Sequence, residues 1–137
     1  MLDRTKGHPL FYDLLEEMAD LHGRKNSNYA SPTDPLSNLR RCQALGISPL
    51  MGTLVRLQDK WSRIENLARG VPDEVGESLE DTLMDNAVYS LLAIILIREE
   101  RNNKHEQNLT EAVNNEIPEE QIKQLLEEIR KGECQSW

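Results

Sequence analysis

Aromatic side chains are scarce in this sequence: only 4% of its residues are Phe, Tyr or Trp. A chain of 137 residues with an apolar content drawn mostly from Leu and Ile is expected to build one modest core. A core of that kind gains missing burial by pairing with another subunit. Cysteine is also nearly missing. Cys42 and Cys134 stand far apart, with no Cys-x-x-Cys and no His-rich tract, which excludes a disulfide scaffold and gives no support for structural zinc. Long hydrophobic runs are absent. The longest, "LLAIILI" at 91–97, is far too short to span a bilayer, and "MLDRTKGHPL" at the start has no apolar signal core. A cytoplasmic chain without membrane association is the expectation. Positive charge is in deficit, 16 Lys and Arg against 24 Asp and Glu, for a net charge of −8. Such a surface repels phosphate backbones, so direct nucleic-acid binding is not expected. Gly-rich phosphate loops are lacking too, with neither GxxxxGK nor GxGxxG. Period-two alternation is missing and β-branched residues are few, so no strand is expected.

Helical periodicity takes up what remains. In "HPLFYDLLEEMADLHGRK", residues 8–25, Leu10, Leu14, Met18 and Leu21 share a stripe, with Pro9 suited to the first turn and Gly23 to the end. The segment "NSNYASPTDPLSNL" is dense in Asn, Ser, Pro and Asp and reads as an ordered loop, and "PLSNLRRCQALG" as a short helix stopped by Gly46. A second long helix starts at Ser48 and Pro49 and closes at Gly70. Leu50, Leu54, Leu57, Trp61, Ile64 and Ala68 form its apolar stripe, which places Trp61 in the core; Arg56, Asp59, Lys60 and Arg63 lie opposite. A third runs from about Pro72 to Arg101, acidic at its start and basic at its end, and apolar all round beyond residue 86. Residues 102–116 read as a polar linker. A last amphipathic helix lies within 117–137, with Ile122, Leu125, Leu126 and Ile129 on one stripe. The expected fold class is an all-α bundle, with residues 1–101 as its main domain.

The third helix raises a chemical question. Asp81 and Asp85 continue a stripe that turns into Val88, Leu92 and Ile95, carrying carboxylates toward core depth. A buried carboxylate without partners changes its pKa or costs several kcal/mol, so both need cations. Arg56, Lys60 and Arg63 on the second helix are one source, with Arg56 and Arg63 able to form an interhelical salt-bridge ladder. The other source is a metal, and Mg²⁺ is the usual guest where carboxylates meet a substrate phosphate. In the metal reading, Asp59, Glu77, Asp81 and Asp85 are the candidate ligands. Arg56, Lys60 and Arg63 then cradle a triphosphate. The loop offers Tyr29 to stack on a base, Asn38 to read its edge and Lys25 to meet phosphate. The plainer alternatives are dipole-stabilising acids, a solvated charged face and an Asx/Pro turn.

"KNSNYASPTDPLSNLRR", "LVRLQDKWSRIENL" and "ESLEDTLMDNAVYSLL", in that order, resemble the phage and bacterial nucleotide-modification-associated domain family, itself similar to all-α, MazG-like nucleoside triphosphate pyrophosphohydrolases. The resemblance covers about residues 8–98. It implies a helical bundle completed by dimerisation or tetramerisation, a Mg²⁺ cofactor, and cleavage of nucleoside triphosphates between the α and β phosphates. Superfamily members hold the metal with Glu-x-x-Glu on one helix and Glu-x-x-Asp on a later one. Asp59 and Arg63 stand at the first pair here, and Glu77 with Asp81, or Asp81 with Asp85, near the second. Arg63 replaces an acid, and Glu77 to Asp81 spans four residues where the pattern has three.

Three readings follow, in this order. The first is a Mg²⁺-dependent pyrophosphohydrolase acting on (d)NTPs, possible modified ones included, with Asp81 or Asp85 as the base. The second is a non-catalytic nucleotide-binding or sequestering protein. The third is a salt-bridged interaction protein.

Overall fold

The computed structural model describes residues 3–114 and 118–130. Among them the chain is all-helical, with a lone bridge between Ser31 and Asp34 and no strand. It divides into two compact units, Met1–Ile97 and Arg98–Trp137. Cys134 and Trp137 lie outside the described residues, as does the expected start of the last helix at residue 117.

Helix α1 spans Pro9–Tyr29. His8 caps it, its imidazole accepting from the Leu10 amide, and Pro9 occupies the first helical position, where no N–H is needed. The helix runs past the expected stop at Gly23, which keeps an ordinary negative φ, and ends where Ala30 turns extended. A glycine ends a helix only where the backbone turns left-handed. The consequence is functional: Lys25 and Tyr29 stand one turn apart on the end of α1 instead of in a loop.

Helix α2, Ser37–Arg40, passes into a 3-10 turn at Arg41–Leu45 that Gly46 closes with φ +74°, its amide donating to the carbonyls of Cys42 and Gln43. Helix α3 spans Pro49–Ala68, with Ser48 accepting from the Met51 amide at 3.1 Å and Gly70 left-handed just beyond the end. These boundaries agree with the sequence reading.

Its inward face does not. Thr53, Lys60 and Ile64 turn inward, while Leu54 and Trp61 are exposed, Trp61 at 52%. The expected apolar stripe is therefore rotated partly to the outside, and Lys60 from the charged face is brought in, where a carboxylate meets it.

Helix α4 is Leu79–Asn114, different at both ends from the expected Pro72–Arg101. At its start, Gly76 is left-handed with φ +80°, and Ser78 caps the first turn. At its far end it runs on through the expected linker. The helix contains neither Gly nor Pro, and Glu100 precedes Lys104 by one turn in the favourable orientation, so no breaker stops it at the expected end, Arg101. Helix α5, Glu119–Arg130, half-buries Ile122 and Leu125 and exposes Leu126 and Ile129.

The core of the first unit is small: Leu36, Leu39 and Leu96, with Leu50, Tyr89 and Leu92 packed on them, and Ile64, Val88 and Ala93 buried nearby. The half of α4 expected to be central buries one side only; Leu91, Ile94, Ile95 and Ile97 face outward, each more than 40% exposed, as does Leu83 before it.

Candidate functional site

Asp85 is the buried charged residue among the described residues, its side chain 12% exposed on the inner face of α4. Each oxygen has its own cation. Lys25 Nζ from α1 meets Oδ1, and Lys60 Nζ from α3 meets Oδ2 at 2.7 Å. Burial alone pushes the Asp85 carboxyl up, but the hydrogen bonds and charges of Lys25 and Lys60 outweigh it and hold the group below the usual carboxylate range. One carboxylate thus ties three helices together.

One turn further along α4, Tyr89 receives the second helix's other cation. Arg56 Nη1 donates to its hydroxyl at 3.1 Å, and the Arg56 guanidinium and Lys60 ammonium stand 6.0 and 5.7 Å from its ring centre.

Lys25, Arg56, Asp85 and Tyr89 border a cleft of about 710 Å³. The end of α1 supplies His22, Lys25, Asn26 and Tyr29 to its wall, the 35–45 segment supplies Asn38, Arg41 and Cys42 among others, and α3 and α4 supply Arg56, Asp85 and Tyr89. Its lining carries Lys25, Arg41 and Arg56 against the single carboxylate of Asp85. Gly52 completes one side: a Cβ there would stand 2.8 Å from Cys42 Sγ, so the absent side chain is what lets the thiol pack against α3. Of the substrate-binding candidates, Lys25, Tyr29, Asn38 and Arg56 line the cleft, and Lys60 reaches it through Asp85. Arg41, His22 and Tyr89 were missed. The Arg40–Arg41 pair held a readable signal, because Arg40 is drawn to Asp34 at 2.9 Å while Arg41 borders the cleft.

Arg63 lies elsewhere. It binds Asp73 Oδ1 at 2.7 Å and Glu77 Oε2 at 3.4 Å, tethering the 69–78 connection to α3. Asp59 is exposed on α3 and lines neither this cleft nor the hollow beside it. Asp81 is not at core depth. Because α4 begins at Leu79, Asp81 falls in the first turn, exposed, and closes a capping box: its Oδ2 accepts from the Ser78 amide at 3.0 Å and the Ser78 hydroxyl at 2.7 Å, while its own amide donates back to Ser78 Oγ. Those hydrogen bonds hold its carboxyl below the ordinary value.

Beside the cleft is a second hollow of about 320 Å³ lined by Glu17, Glu77, Glu80, Asp81 and Asp85, with Arg24 and Lys25. Lys25 and Asp85 border both spaces.

The carboxylates of this hollow are the donor type that Mg²⁺ takes. The arrangement does not match it. Among the described residues no three His, Cys, Asp or Glu side chains gather closely enough to hold a metal ion. Both Asp85 oxygens already carry ammonium groups, Asp81 is committed to Ser78, and Asp59 stands apart. In this arrangement the residues do not fit a divalent ion. Among the described residues no helix is long and apolar enough to cross a membrane. No protein-family model matches the chain, and neither a curated protein nor a solved structure is significantly similar to it.

Proposed function

We propose that the chain binds nucleoside triphosphates in the cleft between the end of α1, the 35–45 segment, α3 and α4. One observation carries this reading. On a chain of net charge −8, the cleft collects three cations for one carboxylate. Local charge opposed to the global charge concentrates anions at that place. Tyr29, exposed at the cleft edge, offers a stacking face for a base, and half-buried Asn38 offers paired donor and acceptor for its edge. The likeness of three sequence blocks to the nucleotide-modification-associated family supports the same ligand class. Titration calorimetry with each dNTP tests it. Micromolar binding is the expected result, and no heat with any canonical or modified nucleotide overturns it.

A hydrolytic reading, with pyrophosphate released from the bound triphosphate, is favoured by the carboxylate-lined hollow next to the cleft. It requires the carboxylates to regroup around Mg²⁺ once substrate is present. Assaying pyrophosphate release from each dNTP, with and without Mg²⁺, separates catalysis from binding alone. A homodimer or homotetramer belongs to the same proposal, supported by the open apolar side of α4.

A further inference from the structure

We infer that the cleft takes its polyphosphate as the metal-free anion, with Lys25 and Lys60 in the place a bridging divalent cation would otherwise fill. This rests on the nucleotide-binding reading above. A metal between a carboxylate and a phosphate has one electrostatic task, to let two anions approach each other. Here that task is already discharged by side chains. Asp85 has an ammonium on each oxygen, delivered from two different helices. A divalent ion seated on either Asp85 oxygen competes with the lysine already held there and faces two ammonium groups at close range. A phosphate faces no such conflict. Each ammonium carries three N–H donors and spends one on Asp85, so donors remain. Lys25 is 47% exposed and borders the cleft, whereas Lys60 is 22% exposed and braced against the Tyr89 ring. Lys25 is therefore the group that reaches the ligand, and Lys60 the group that keeps Asp85 neutralised while it does so.

The charge count agrees. Lys60, outside the lining, offsets Asp85, which leaves Lys25, Arg41 and Arg56 on the wall as a surplus of three positive charges (4 − 1). That surplus has the sign an ionised triphosphate requires. Arg56 still has guanidinium donors after the one given to Tyr89.

The test is calorimetry of folded, full-length protein with sodium tripolyphosphate and with each dNTP, first in EDTA and then in excess Mg²⁺. Affinity in EDTA equal to or tighter than in Mg²⁺ is the expected result, with at least a tenfold loss in EDTA for Lys25→Met and for Arg56→Met. Tighter binding in Mg²⁺, or binding seen only there, overturns the inference and leaves nucleotide binding standing. No binding of any ligand in either condition overturns both. Circular dichroism of each variant confirms that the helices persist.

Discussion

Lys60 and Asp85 join α3 to α4 through a 2.7 Å ion pair in which both side chains are largely shielded from water. Shielding makes the pair expensive to break from one side, because the remaining charge stays behind uncompensated. Asp85→Asn leaves two lysines facing an amide and should cost about 3 kcal/mol. Lys25→Met removes a half-exposed partner and should cost about 1 kcal/mol or less. Urea denaturation of both variants gives the comparison; equal losses would show that α1 depends on Asp85 as much as α3 does.

Acid should find the same carboxylate. Asp85 has a folded-state pKa below its ordinary value, so its contribution is complete above the unfolded pKa of about 3.9 and is lost as pH falls below that toward the folded value. Asp81 has the same sign. Melting temperatures should therefore fall steeply on acidification below about pH 4, and the fall should be shallower for Asp85→Asn. Parallel acid limbs would assign the loss to other carboxylates.

The capping box at the start of α4 predicts a cooperative effect. Ser78→Ala should cost about 1 kcal/mol, and Ser78→Ala combined with Asp81→Ala should cost less than the two single losses added, since each side chain serves the other. Strict additivity in a double-mutant cycle would mean the two residues do not act as a unit.

Tyr29 and the cations divide the ligand between them. Tyr29→Ala should weaken dNTP binding roughly tenfold, in line with about 1–3 kcal/mol for base stacking, and leave tripolyphosphate affinity unchanged. If both ligands weaken together, Tyr29 is supporting the end of α1 and is not meeting a base.

Leu83, Leu91 and Ile94 present a solvent-facing apolar strip on α4, and replacing Leu91 and Ile94 with Glu should convert an oligomer to monomers by light scattering. A wild-type protein that is monomeric across concentrations would remove the oligomer from the proposal.

The parts of this structure that were legible in sequence are those set by local chemistry. Ser48, Pro49 and Gly70 bound α3 because a cap, an N1 proline and a left-handed glycine each act within a few residues. Gly23 carried no equivalent information, since a glycine without positive φ simply continues the helix. The start of α4 was harder: acids from Asp73 onward look like a helical first turn, yet Arg63 holds Asp73 in the connection. That seven-residue shift moved Asp81 from core depth to a cap, while Asp85, one turn later, was read correctly as a buried charge needing cations. Which cations answered it depended on the rotation of α3, a tertiary outcome with no sequence signature. Lys25 was not legible as a counter-ion of Asp85, from which it stands 60 positions away on another helix.

Cys42 nests on the cleft wall where Gly52 has no side chain, its thiol donating to the Leu39 carbonyl at 3.2 Å with the Ser48 carbonyl as a second acceptor in reach. The cleft thereby has a built-in chemical reporter. With Cys134 replaced by serine, maleimide alkylation of Cys42 should slow when the space in front of it fills, so that the rate tracks occupancy while every charged group is left untouched.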